Sequence, residues 1–123
     1  MTTTNERVRS RFEDGKYLND GARGNVATDA PANGADTVVS EDADTHVVTA
    51  DGTNTVDLSS AAEEGREVTV VHNGGASTPT VSFTDADFVG TGPSNMTAAG
   101  ATATVRNIDG TASGWVVVAT GSA

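Results

Sequence analysis

Six short runs decide how this chain folds: THVVTA at 45–50, NTVDLSS at 54–60, REVTVVHNGG at 66–75, TPTVSF at 78–83, GATATVRNID at 100–109 and GWVVVAT at 114–120. Each is rich in Val and Thr, which fit a pleated surface, and most end at Gly, Asn or Asp. Val56 and Leu58 alternate with Thr55 and Asp57. Val68 and Val70 share a face, as do Val81 and Phe83. Ala101, Ala103 and Val105 oppose Thr102, Thr104 and Arg106. That period of two is the strand period, and no long helical period appears. The expected class is all-β, a small β-sandwich or jelly-roll-like domain with an extended N-terminal arm.

Local signals refine that expectation. Asp51-Gly52 predicts a hairpin, and Asn73-Gly74-Gly75 and Asp109-Gly110 predict turns. Ser60 with Glu63 fits a capping box and Gly65 fits a C-cap, so a single helical or 3₁₀ turn is expected there. Trp115 to Val118 reads as a buried closing strand. From Thr45 to Val118 there are only 18 large apolar residues. A core that thin argues for subunits that share one.

Charge is unevenly spread. The 123 residues hold 17 acids against 7 Lys and Arg, a net charge of -10, and Lys16 is the only lysine. Residues 1–23 carry Arg7, Arg9, Arg11, Lys16 and Arg23. The rest of the chain has only Arg66 and Arg106 against thirteen acids. This shift, and the small polar stretch that follows it, divide the chain into an arm or linker at 1–36 and a β domain at 37–123. Acidic, Lys-poor, Thr- and Gly-rich composition fits a halophilic protein. In molar salt the Debye length is about 3 Å, so self-repulsion is screened.

The arm contains Arg7-Val8-Arg9-Ser10-Arg11-Phe12. As a strand it puts Arg7, Arg9 and Arg11 on one side and Val8 and Phe12 on the other. As a helix it still pairs Val8 with Phe12 and Arg7 with Arg11. Either shape sets an apolar strip beside positive charge, which suits docking onto an acidic surface. The acidic body argues against nucleic acid as partner. No run approaches the roughly 20 apolar residues of a membrane span. The N-terminus lacks the apolar segment of a secretory signal. The expectation is a protein assembled inside a cell, with no membrane partner. The absence of cysteine excludes disulfides and thiolate metal sites.

The order of motifs resembles a known group. Val56-x-Leu58 precedes a polar turn ending at Gly65. Val68-x-Val70 and the turn Asn73-Gly74-Gly75 follow, then Thr80-Val81-x-Phe83. The chain closes with Gly100, Val105, Asp109-Gly110 and Gly114-Trp115-Val116-Val117-Val118. Roughly residues 45–118 resemble the small β modules of tailed-virus structural proteins: head decoration proteins, head fibres and parts of tail fibres. Together with the acidic composition, the resemblance implies a virion protein of a haloarchaeal tailed virus. It implies a homotrimer anchored to the major capsid protein by its N-terminal segment, assembled in the host cytoplasm and placed on the capsid surface. The docking residues would be Arg7, Val8, Arg9, Arg11 and Phe12. Core and subunit contacts would come from Val68, Val70, Val81, Phe83, Val105 and Trp115. The alternative is a receptor- or glycan-binding module of a vertex turret or tail fibre.

Enzymatic chemistry has little footing in the sequence, and no catalytic residue, metal or cofactor is expected. His46 and His72 could join a metal site only by converging with a carboxylate such as Asp44 or Asp57. Histidines with no ligand role are the plainer reading. Glu41-Asp42-Ala43-Asp44 and Asp85-Ala86-Asp87 lack calcium-loop spacing and read as solvated surface. No nucleophile elbow is present. Gly90-Thr91-Gly92 lacks the lysine and helix of a phosphate loop, and Asn95-Met96-Thr97 is the one glycosylation sequon. Trp115 reads as a core or interface anchor rather than a sugar platform.

Overall fold

The computed structural model describes residues 24–122. They form β1 (Val26–Asp29), β2 (Asp36–Val38), β3 (Thr45–Asp57), β4 (Glu67–Ser82), β5 (Thr102–Asn107) and β6 (Trp115–Gly121), with 3₁₀ turns at Ser59–Ala61 and Asp85–Asp87. The described residues are all-β, as the period of two requires. No helix among the described residues is long and apolar enough to cross a membrane.

The strands belong to one mixed sheet in the order β1-β3-β4-β5-β6, with β2 also paired to β3. The first four pair in parallel. Val26 lies beside Thr45 and Thr45 beside Thr69, while Thr37 lies beside Val56 and Thr55 beside Ser82. Successive passes of the chain therefore stack side by side, each pass having two arms. β1 and β2 make the first, the two halves of β3 the second, and the two halves of β4 the third. A single pass cannot bury its apolar side alone, and stacking supplies the missing neighbour. β5 and β6 then run antiparallel along the last pass, Val68 against Val105 and Val105 against Val117.

The bends explain where the sequence reading went astray. Asp51-Gly52 and Asn73-Gly74-Gly75 do not close hairpins. They are corners inside the long strands β3 and β4, and the register between the two strands slips around Ala50 and Asp51. A Gly turn ends a strand only if the returning chain pairs with it. Here the chain turns a corner, and its partner is the next pass. Gly75 shows how tight the corner is. Its φ is +147°, and a Cβ there would lie 1.7 Å from the carbonyl oxygen of Ala50.

The core is one cluster that includes Val39, Val48, Val56, Leu58, Val68, Val70, Val81, Phe88, Val105 and Trp115, with Phe83 packed half-buried against it. It draws on both arms of the passes, so the sheet wraps its own interior. Asn54 and Asn107, both fully buried, hold two corners. Asn54 donates from Nδ2 to the carbonyls of Ala32 (2.7 Å) and Ala35 (2.8 Å) and accepts the Asp51 N–H at Oδ1 (2.9 Å). Asn107 donates to the Thr111 carbonyl (2.8 Å) and accepts the Gly110 N–H (2.6 Å), shaping the expected Asp109-Gly110 turn. The expected turn after Leu58 is also present, but Ser60 does not cap it. Instead Asp57 Oδ1 accepts the N–H (2.9 Å) and hydroxyl (2.6 Å) of Ser59.

Two expectations need correction. β1 and β2 pair with β3, so the β domain begins at Val26 rather than at residue 37. Trp115 is buried, but the rest of β6 is not a buried strand, because β6 is the last strand of the sheet. Arg7, Val8, Arg9, Arg11 and Phe12 lie outside the described residues.

Candidate functional site

Three features of the described residues bear on function: an inward polar group, the placement of positive charge, and the two edges of the sheet. The polar group begins with the parity of β3. His46 shares its face with Val48, Ala50 and Val56 and is buried with them. Thr37 of β2 donates its hydroxyl to Asp29 Oδ2 (2.7 Å), so its oxygen is left to accept from His46 Nε2 at 2.6 Å. This fixes the tautomer with the proton on Nε2, and it leaves Nδ1 buried with no protein partner. Burial lowers the His46 pKa, against the attraction of nearby Asp29, so the ring is neutral near pH 7. In a nucleophilic triad the imidazole sits between hydroxyl and carboxylate. Here the hydroxyl sits in the middle, so His46 is not oriented by the carboxylate toward Thr37. The group is a buried strut between passes.

His72 has the same inward parity on β4, one step beyond Val70. Its Nε2 faces the Pro79 carbonyl at 3.0 Å and its Nδ1 accepts the Gly74 N–H at 2.9 Å. Both nitrogens are committed to the backbone of the β4 corner. The pairing of Val48 with His72 sets the two histidines on adjacent strands, two positions out of step. Among the described residues no group of three or more His, Asp or Glu is placed to hold a metal ion. The inward parity of His72 was visible in the sequence, two residues beyond Val70 on the face of Val68 and Val70, whereas that of His46 was not, because Val47 and Val48 are adjacent.

Positive charge is scarce, and the fold uses what there is. Arg66 and Arg106 are the only Lys or Arg among the described residues. Arg66 donates to the carbonyls of Ser40 (3.2 Å), Glu41 and Ala43, tying the loop after β2 to the turn before β4. Arg106 pairs with Glu67 across β4 and β5 at 3.6 Å. The remaining ionisable side chains of the described residues, the two histidines apart, are acids.

The expected core residues Val68, Val70, Val81, Val105 and Trp115 are fully buried, and Phe83 is partly so. Trp115 and Phe88 are both buried, so neither offers a face on which a sugar could stack. The pairing of Phe88 beside Trp115, with the Val89 N–H donating to the Trp115 carbonyl (2.8 Å), explains that burial. Sequence alternation did not reveal it, because Phe88 lies outside any regular strand. A groove of about 350 Å³ opens beside the end of β6, lined by Met96, Ala101, Ala103 and Thr120 among others. Searches against protein-family models and against curated proteins found no match for this chain.

Proposed function

We propose that the protein is a non-enzymatic structural component of a virion, an oligomeric capsid decoration protein of a haloarchaeal tailed virus. Its partner is the major capsid protein, and it stabilises the shell from the capsid surface by adding contact area between coat subunits. The observation that carries this reading is the segregation of charge. Both arginines of the described residues are engaged within the fold, and five of the seven basic residues of the chain fall at 1–23. Attraction to an acidic coat surface therefore falls to the arm, with Arg7, Arg9 and Arg11 beside Val8 and Phe12. The stacked passes supply a stiff body for that arm to tether. The motif order at residues 45–118 points the same way.

Deletion of residues 2–23 tests this reading by co-sedimentation with particles. The expected result is a folded oligomer that stays in the supernatant while the full chain pellets. A deleted protein that still pellets with particles sinks the arm assignment.

A further inference from the structure

The two edges of the sheet are built differently. One edge is made of β1 and β2, which are four and three residues long and interrupted by a loop. They carry Asp29 and Asp36. Short strands and charge are the usual protection against unwanted strand pairing. The other edge is β6, seven residues reading WVVVATG with no ionisable side chain and no proline. Val117 and Val118 are 37% and 51% exposed. Val105 pairs with Val117 and Thr104 with Ala119, which leaves Val118 as a bulge without a cross-strand partner. At its start β6 is covered, since Val89 donates to the Trp115 carbonyl. From Val116 onward, no backbone hydrogen bond from another described segment reaches its open side.

We infer that β6 is the interface through which copies of this chain associate, β6 of one copy against β6 of another. Charge selects the occupant. A chain of net charge -10 can meet itself at low cost only where it carries no charge, and β6 is such a place. Pairing β6 with the β1–β2 edge of a neighbour would press the exposed Asp36 against valines and strip it of water. The basic segment at 1–23 finds no acid on β6 to pair with, so it is a poor cover for this edge. A single open edge paired with its like is a two-fold contact, so this inference deepens the oligomeric part of the function proposed above by making the oligomer a dimer, and it is independent of arm docking.

Light scattering of the full chain in molar salt, with wild type, Val118→Lys and Val38→Lys compared, tests it. Wild type is expected as a dimer. Val118→Lys is expected as a monomer with the buried-Trp115 fluorescence of wild type, and Val38→Lys, on the opposite edge, as the wild-type oligomer. A second variant guards against misfolding of the first. The chain has no cysteine, so Val118→Cys introduces a single thiol, and oxidation is expected to link copies covalently within the oligomer. The inference is overturned if wild type is a monomer or a trimer at high concentration or if a folded Val118→Lys keeps the oligomer. Dissociation by Val38→Lys, or failure of Val118→Cys to cross-link, overturns it equally. A monomeric Val118→Lys that still pellets with particles supports the interface and leaves the arm reading intact. Loss of pelleting on arm deletion bears on the arm alone.

Discussion

Thr37 Oγ1 lies 2.6 Å from His46 Nε2, although Thr37 is paired beside Val56, ten residues further along the strand that carries His46. A straight strand would separate those positions by about 33 Å. The contact exists because β3 bends and brings its two arms face to face across the core. It also couples the fold to pH. Burial holds the His46 pKa below that of a free histidine. The unfolded chain therefore takes up this proton first as pH falls. The stability tied to neutral His46 is complete above about pH 6.5. It is lost as pH drops from there through the lower folded value. Thermal melts in molar salt from pH 8 to pH 5 should show a falling midpoint. His46→Gln, which cannot titrate, should show a smaller fall across the same interval.

The Gly75 corner yields a sharper test. A side chain there has no room, since the Ala50 carbonyl occupies the position of its Cβ and the backbone cannot give way without breaking the β3–β4 register. Gly75→Ala should cost more than about 3 kcal/mol or prevent folding. Gly34 also has a positive φ, +82°, but nothing lies within 4 Å of its Cβ position. Gly34→Ala should cost only about 1 kcal/mol, the penalty of the left-handed backbone alone. Denaturant titration of both variants separates the clash from the conformational term. Equal costs would mean that the β4 corner relaxes.

Asn54 is the other corner that can be tested. It satisfies two carbonyls and one N–H from a position with no exposure to water. Removing the amide leaves those groups unpaired, at about 1–3 kcal/mol for each that water cannot reach. Asn54→Ala should lower the unfolding free energy by about 2–4 kcal/mol in a denaturant titration. A loss below about 1 kcal/mol would mean that water enters the corner and replaces the amide.

These corners mark the limit of what the sequence reveals. The strand runs and the buried state of Val68, Val70, Val81 and Val105 follow from alternation, because burial on one face of a strand imposes a period of two, and the burial of Trp115 follows from its size and the valines after it. Which strand pairs with which does not follow. Asp51-Gly52 has the composition of a hairpin turn, and a corner in a parallel winding asks for the same positive φ, so the two are indistinguishable locally. β1 and β2 escaped notice because VATD and DTV are too short to show a period. The exposure of Val117 and Val118 was hidden for a related reason. WVVV reads as buried wherever it stands, and only the strand order puts it at an edge.

Net charge gives the last prediction. The described residues carry thirteen acids against two arginines, and both arginines are engaged. Repulsion among the acids acts over the Debye length, which shrinks from about 8 Å at 0.15 M salt to about 3 Å at 1 M. Salt also weakens the Arg106–Glu67 pair, but that pair is half-exposed at 3.6 Å and contributes little. The repulsive term therefore dominates, and the melting midpoint should rise steadily as sodium chloride goes from 0.1 M to 2 M. Sucrose strengthens burial by exclusion without screening charge. At a concentration that stabilises an uncharged reference protein as much as 2 M sodium chloride does, it should stabilise this chain less than the salt. Equal responses to salt and sucrose would show that exclusion, not screening, sets the effect, and would remove the physical basis for reading the acidic surface as an adaptation to salt.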